Sequence, residues 1–259
     1  MKNNDFIGFF DSGVGGTTVW QEVHKLLPHE STVYLADSRN APYGKKTKEQ
    51  IIELSVKNTE FLIKNYPTKL IVVACNTATV NAITHLRANY DIPFIGVEPA
   101  VKPAALQSST KAIGVLATQG TLNSKVFGQV IETYQDVKIV TQIGHGLVDL
   151  IESGLMDTPE MTALLHDYLQ PMIAQNIDYL VLGCTHYPLL KNKIAAILPA
   201  YIQIIDSGKA IAQRVQNVLT QKDLLSSSQT TQHLFYTNHN EEVLSRLLPD
   251  IAQVSLVNF

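Results

Sequence analysis

Short apolar runs alternate along this chain with longer amphipathic stretches. Within the runs the apolar residues are consecutive, and each run has the length of a β-strand. This pattern predicts eight strands, at residues 6–10, 32–36, 70–74, 93–97, 112–117, 137–140, 178–182 and 202–205. Consecutive apolar residues are typical of strands that helices cover on both faces, so we expect mainly parallel sheets in an α/β fold.

The amphipathic stretches predict helices between the strands. The first three span about residues 16–27, 47–66 and 77–89. The second has apolar residues at Ile51, Leu54, Phe61 and Leu62, which approximates the spacing of one helix face. In parallel α/β sheets, ligands bind beyond the carboxyl ends of the strands. The residues that follow each strand are therefore the candidates for function.

Three pairs of strand ends resemble each other. LIVVACNTAT (70–79) resembles YLVLGCTHYP (179–188), FFDSG (9–13) resembles IIDSG (204–208), and IGVEPA (95–100) resembles IGVLAT (113–118). These pairs predict two similar α/β domains, related by pseudo-symmetry, with an active site in the cleft between them. The two prolines of EPAVKP (98–103) fit a hinge, and the residues from 206 onward could return to the first domain.

Composition and charge exclude several classes of protein. Hydrophobic residues make up 45% of the 259 residues and charged residues 17%, which is typical of a soluble globular protein. The net charge of -3 gives no electrostatic reason to expect nucleic acid or an anionic membrane as a partner. The apolar runs are much shorter than a membrane span, and two cysteines are no disulfide framework. We expect a cytoplasmic protein.

The two cysteines, Cys75 and Cys184, are the most informative residues. Each follows a predicted buried strand and precedes a predicted helix. A free cysteine is often a small buried apolar residue, but the matched placement favours a chemical role, and a helix N-terminus lowers the pKa of a thiol. A disulfide is not expected in a reducing compartment. Cys184 and His186 have no second ligand pair at zinc spacing, so no metal site is expected.

The turn DSGVGG (11–16) raises the alternative of a nucleotide site. Thr18 stands where the dinucleotide pattern needs its third glycine, and no Gly-Lys-Ser/Thr follows. Asp11 is compatible with a helix cap, and Asp206, in the second DSG, is interpreted as a structural cap. His186 would be a core histidine if it stood alone. Beside a thiolate, it is a candidate proton carrier.

Hydroxyl groups and backbone donors are concentrated at the same strand ends. They are supplied by Ser12, Asn76, Thr77, Thr118, Thr121 and Thr185, and by Tyr43 and Gly44 in the turn APYGKK (41–46). Neutral donors in this number predict a pocket for carboxylates. With a thiol on each side, such a pocket could invert a stereocentre, because one thiol removes a proton from one face and the other delivers one to the opposite face. A covalent hydrolase that uses one thiol and an amino-acid-binding protein without catalysis are alternatives.

The chain resembles the glutamate racemases, a cofactor-independent family of the bacterial cytoplasm that supplies D-glutamate for peptidoglycan. The resemblance rests on DSGVGG (11–16), PYG (42–44), ACNTA (74–78), GVEPA (96–100), GCTHYPLL (183–190) and DSG (206–208), which span about 200 of the 259 residues in the family's order. Related aspartate racemases usually have an acid where this chain has His186, so the motif favours glutamate. A related racemase of aspartate, another amino acid or a hydantoin-type substrate is the alternative.

The resemblance also implies a role for each candidate residue. Cys75 and Cys184 would be the two bases, one for each enantiomer, with Asp11 assisting the first and His186 the second. Glu152, in LIESG, matches an acid that the family often places near the cleft. The substrate's carboxylates and ammonium group would be bound by Ser12, Tyr43, Gly44, Asn76, Thr77, Thr118 and Thr185. The resemblance further implies no cofactor or metal, a homodimer, and domains formed by residues 1–97 with 207–259 and by residues 98–206.

Overall fold

The computed structural model of the protein describes residues 5–249 and 251–259. Its strands are β1 (Phe6–Asp11), β2 (Thr32–Ala36), β3 (Thr68–Val73), β4 (Phe94–Gly96), β5 (Ala112–Ala117), β6 (Lys138–Ile143), β7 (Tyr179–Gly183), β8 (Gln203–Ile205), β9 (His233–Thr237) and β10 (Gln253–Leu256). Its α-helices are α1 (Thr17–Leu26), α2 (Lys48–Asn65), α3 (Asn76–Asn89), α4 (Val101–Gln107), α5 (Gln119–Leu122), α6 (Lys125–Thr133), α7 (Leu147–Glu152), α8 (Pro159–Ile173), α9 (Lys191–Ile197), α10 (Gly208–Gln221) and α11 (Glu241–Ser245). Short 3-10 helices cover Ser38–Asn40, Tyr43–Lys45 and Tyr187–Leu190. Across the described ranges, no helix is both long enough and apolar enough to span a bilayer.

The strands form two sheets in which every pairing is parallel. The strand order is β10-β9-β2-β1-β3-β4 in the first sheet and β6-β5-β7-β8 in the second. Helices separate consecutive strands, as parallel connections require. The predicted α/β fold with two parallel-sheet domains is therefore confirmed. Because parallel strands end at the same edge, the residues after β1, β2, β3 and β9 lie together, as do those after β5 and β7.

The eight predicted strands are all present, and their ends agree with the structure to within three residues. The central strands are almost wholly buried: in β1, for example, only Phe6 is partly exposed. Such burial stabilises the fold by roughly 1.5–3 kcal/mol for each large apolar side chain. The apolar runs were therefore a strong signal for these strands.

Two further strands, β9 and β10, are absent from the sequence prediction. In β9 buried and partly buried residues alternate, and β10 is a mostly exposed strand at the edge of the sheet. Neither has the continuous apolar run of a strand buried on both faces. β9 pairs with β2, so the end of the chain does join the sheet formed by its beginning.

A buried ion pair fixes the segment that returns the chain to the first sheet. The ammonium group of Lys69 lies 2.6 Å from Glu30 Oε2, and neither side chain is appreciably exposed. Lys69 Nζ also donates to the carbonyl of Leu224 at 2.8 Å, and the amide of Ser226 donates to Glu30 Oε1 at 2.8 Å. Buried charges are tolerated when they are paired and hydrogen-bonded in this way.

Candidate active site

Both cysteines line one small cavity between the two sheets. Cys184 directly follows β7, and Cys75 follows β3 after one intervening residue. Both thiols are free and buried. The cavity is small, with a volume of about 10 Å³.

The cavity wall contains every residue that the family resemblance assigns to substrate binding. It consists of Ser12, Pro42, Tyr43, Gly44, Cys75, Asn76, Thr77, Thr118, Val148, Cys184, Thr185 and His186. Thr121, a further candidate donor, lies outside the wall and is hydrogen-bonded to Thr77 and Thr118. Pro42 and Val148 line the wall as well, although neither is among the predicted site residues. Val148 belongs to α7, where it is one of several apolar residues, so the sequence offers no signal that separates it from the core. Asp11 and Glu152 lie behind the wall and reach the cavity through Ser12 and His186.

Cys75 occupies the N-cap position of α3. Its sulfur accepts a hydrogen bond from the amide of Ala78 at 3.4 Å, and its thiol donates to Ser12 Oγ at 3.7 Å. Burial, and secondarily the neighbouring carboxylate of Asp11, raise the pKa of Cys75 well above its ordinary value, while the Ala78 amide opposes this. The expectation of a lowered thiol pKa is therefore wrong for Cys75: the helix N-terminus acts in the expected direction, but desolvation outweighs it.

Asp11 is the inner end of a hydrogen-bonded chain that begins at Cys75. Ser12 Oγ, the acceptor for the thiol, donates in turn to Asp11 Oδ1 at 3.3 Å. Asp11 Oδ2 accepts from the amide of Gly16 at 2.6 Å and from Thr185 Oγ1 at 3.4 Å. Burial raises the pKa of Asp11, although charged His186, the Gly16 amide and Cys75 act against it. A carboxylate with a raised pKa is suited to accept and return a proton.

Cys184 begins a second chain that also ends at a carboxylate. Its Sγ lies 3.7 Å from His186 Nδ1, and His186 Nε2 lies 2.5 Å from Glu152 Oε1. Burial alone would lower the pKa of His186, but the hydrogen bonds to Cys184 and Glu152 outweigh it and raise that pKa well above its ordinary value. The raised pKa favours the charged ring, in which both nitrogens are donors, one toward Cys184 and one toward Glu152.

The glycines of the DSGVGG turn allow this second chain to approach the first domain. A Cβ on Gly13 would lie 1.9 Å from Glu152 Oε1, and one on Gly15 would lie 2.3 Å from His186 Nδ1. The amide of Val14 donates to Glu152 Oε1 at 2.7 Å. The turn therefore binds the acid through Val14 and leaves room for the histidine at Gly15, from the opposite side of the cleft.

Several predicted donors have their own partners in the structure. Tyr43 directs its hydroxyl to Asp37 Oδ2 at 2.5 Å, and Asn76 Nδ2 donates to the carbonyl of Val97 at 3.0 Å. The hydroxyls of Thr77 and Thr118 lie 2.8 Å apart, on opposite sides of the cleft. The hydroxyls of Ser12 and Thr185 also have a partner, since both donate to Asp11. A substrate that bound to these hydroxyls would therefore have to replace existing hydrogen bonds.

A second contact across the cleft lies at its outer edge. Lys45 Nζ is 3.0 Å from Asp149 Oδ1 and 3.1 Å from Oδ2. Both side chains are exposed, so this ion pair is worth at most about 1 kcal/mol. Asp149 and Glu152 both belong to α7, which therefore contacts the first domain at two points.

A more spacious cavity lies elsewhere in the described chain and lacks these groups. It has a volume of about 540 Å³ and is lined by Arg87, Phe94, Arg214 and Lys222 among others, with no cysteine or histidine. Size alone therefore does not locate the reactive site. Within residues 5–249 and 251–259, no three His, Cys, Asp or Glu side chains are grouped as metal ligands would be.

Comparison with known proteins agrees with this geometry. The model of the Asp/Glu/Hydantoin racemase family matches residues 17–215. A glutamate racemase of Pseudomonas syringae pv. tomato is 43% identical over 251 residues, which cover 96% of this chain and 91% of that protein.

Solved structures give the same result. A glutamate racemase isoform from Bacillus anthracis superposes with a TM-score of 0.88 at 32% identity, covering 99% of this chain and 98% of that one. The Escherichia coli glutamate racemase, solved with L-glutamate and the activator UDP-MurNAc-Ala, superposes with a TM-score of 0.85 at 31% identity, covering 98% of this chain and 100% of that one. The chain belongs to the Asp/Glu/Hydantoin racemase family, and within it to the glutamate racemases.

Proposed function

We propose that the chain interconverts L- and D-glutamate without a cofactor, with Cys75 and Cys184 exchanging protons at Cα from opposite faces. The observation that supports this mechanism is the pairing of two hydrogen-bonded chains around one cavity. One runs from Cys75 through Ser12 to Asp11, and the other from Cys184 through His186 to Glu152. Each thiol is therefore followed by a residue that can pass on a proton, Ser12 or His186, and then by a carboxylate.

In one direction the thiolate of Cys184 removes the Cα proton. His186 Nδ1, 3.7 Å from the sulfur, is placed to donate a hydrogen bond to it during this transfer. The Cα–H bond breaks and an S–H bond forms, while the thiol of Cys75 gives its proton to the other face of the carbanion. The raised pKa of Cys75 keeps it protonated and ready for this delivery.

In the opposite direction Cys75 is the base. Its proton must first leave, and Ser12 offers the path to Asp11, whose raised pKa suits it to accept the proton. The thiol of Cys184 then delivers the proton. One proton is removed and one is added in each turnover, so the roles of the two thiols exchange with the hand of the substrate.

Substrate recognition relies on neutral donors. We infer that the side chains of Ser12, Thr77, Thr118 and Thr185, together with the backbone at Tyr43, Gly44 and Asn76, hold the carboxylates and the ammonium group. Among the residues of the wall there is no arginine or lysine. A buried, water-poor cavity strengthens these hydrogen bonds as charge develops at Cα.

The remaining parts of the proposal concern the setting of the reaction. We infer a division into residues 1–97 with 207–259 and residues 98–206, with domain closure over the substrate. The contacts of Val14 with Glu152 and of Lys45 with Asp149 support closure, because they cross the cleft. We also infer a cytoplasmic homodimer that supplies D-glutamate for peptidoglycan, as the family resemblance implies.

Circular dichroism of glutamate solutions tests the two-thiol assignment. Cys75→Ser and Cys184→Ser should each abolish the decay of optical activity for both enantiomers, since racemisation needs both thiols. Each variant should still eliminate from a suitable substrate analogue of one hand, because one thiol remains. Wild-type racemisation by either variant would rule out the assignment.

A further inference from the structure

The substrate loop at Tyr43–Lys45 is held from inside the first domain by a buried carboxylate. Asp37 directly follows β2 and is 1% exposed. Its Oδ2 accepts from the hydroxyl of Tyr43 at 2.5 Å, and its Oδ1 accepts from Asn40 Nδ2 at 2.8 Å. The phenol of Tyr43 is 1% exposed, so it anchors the loop while the backbone of the loop lines the cavity.

The third partner of this carboxylate comes from the far end of the chain. Asn238 Nδ2 donates to Asp37 Oδ1, and Asn238 Oδ1 accepts from the amide of Arg39 at 2.9 Å. The register that pairs Ala36 with Thr237 places Asn238 beside Asp37 at the same edge of the sheet. Asn238 itself is 2% exposed.

The chemistry at this position requires an amide. The side chain donates to a carboxylate with one atom and accepts from a backbone amide with the other. Aspartate would place a second carboxylate against Asp37, and an apolar residue would leave a buried acceptor and a buried donor without these partners.

We propose that Asn238 is a positioning residue for substrate binding: through Asp37 it fixes Tyr43, and thereby Gly44, at the cavity wall. The inference rests on the proposed function, which assigns the loop to the substrate pocket. The loop has little freedom at this point, because a Cβ on Gly44 would lie 2.9 Å from Thr118 Cβ. A shift of about 1 Å in such a site is enough to misplace a substrate.

Steady-state kinetics of Asn238→Ala tests the inference. The KM for both enantiomers should rise by about tenfold or more, with a smaller change in kcat, because the loop binds substrate and takes no part in proton transfer. The matched control is Asn240→Ala. Asn240 lies two residues along the same segment, where it caps α11 by accepting from the amide of Glu242, and it is exposed. Its loss should lower stability and leave KM unchanged.

Thermal melts of Asn238→Ala and Asn240→Ala show whether each variant is folded at the temperature at which KM is measured. If Asn238→Ala is not folded at the assay temperature, Asn238→Ser, which shortens the side chain and retains a polar group, should raise KM in the same direction. A folded variant with the wild-type KM would overturn the inference. So would an equal rise in KM for Asn240→Ala, since the effect would then follow from stability. Failure of the two-thiol mechanism is detected separately, by activity that survives in Cys75→Ser or Cys184→Ser.

Discussion

Gly13 gives the sharpest perturbation of the Cys184 side of the site. An alanine Cβ there would lie 1.9 Å from Glu152 Oε1, and that oxygen would have to move by about 1.5 Å to reach ordinary van der Waals contact at 3.4 Å. Such a movement breaks the hydrogen bonds of Glu152 to His186 at 2.5 Å and to Val14 at 2.7 Å. The clash involves the end of a flexible side chain, so we expect Gly13→Ala to fold.

The expected cost follows from the bonds that are lost. One hydrogen bond to a charged group is worth about 1.5–3 kcal/mol, which corresponds to roughly a 10- to 150-fold loss of kcat/KM. The hydrogen bond that Glu152 accepts from His186 also contributes to the raised pKa of His186. When it is lost that pKa falls, so His186 loses its proton at a lower pH. The alkaline limb of the pH profile should then move to lower pH.

Coupled assays of kcat/KM in both directions, repeated across pH, measure these effects. Gly128→Ala is the matched control, because an added Cβ at Gly128 would meet nothing within 4 Å. It should retain wild-type kinetics and an unchanged pH profile. If folded Gly13→Ala had the kcat/KM and pH profile of the wild type, the contact between Glu152 and His186 would have no part in catalysis.

Two further predictions concern stability. Glu30→Gln leaves the ammonium of Lys69 without its buried counter-charge, so the free energy of unfolding in urea should fall by about 3–5 kcal/mol; a change below 1 kcal/mol would refute the buried pair. Burial, aided by His24, lowers the pKa of His233 to about 4, below the ordinary 6.5. Because the pKa of His233 is depressed in the folded protein, the unfolded chain binds more protons than the folded one between pH 6.5 and 4. The contribution of His233 to stability is therefore present above pH 6.5 and is lost as pH falls through that window. Urea titrations at a series of pH values give the free energy of unfolding, which should decline less steeply between pH 6.5 and 4 in His233→Gln than in the wild type. Parallel curves of this free energy against pH would contradict the lowered pKa of His233.

The sequence predicted those features that depend on a local pattern of residue types. Consecutive apolar residues predicted the central strands, and the polar residues after them predicted the wall of the cavity. It was uninformative where side chains compete for partners: nothing in PYG indicates that the hydroxyl of Tyr43 turns to Asp37. Likewise, a helix N-terminus suggested a low thiol pKa at Cys75, but the degree of burial, which raises it, depends on the whole fold.

Long-range pairings account for the other omissions. Asn238 reaches Asp37 because β9 pairs with β2, and β9 lacks the continuous apolar run that identified the central strands. The glycines of the 11–16 turn resembled a phosphate loop, whereas their neighbours at Gly13 and Gly15 are Glu152 and His186, more than 130 residues away in the chain. Such contacts follow from topology, which local patterns do not specify.

The origin of the Cα hydrogen in the product tests the two-thiol mechanism most directly. The reaction is run in D2O with L-glutamate as substrate, and the first turnovers are sampled by NMR and mass spectrometry. We expect D-glutamate that carries solvent deuterium at Cα, while the remaining L-glutamate still carries its proton at Cα. This follows because one thiol removes the substrate's proton and the other delivers a solvent-derived deuteron to the opposite face. D-glutamate that retained the substrate's own proton would show that a single group moves it between the faces, and would contradict the account.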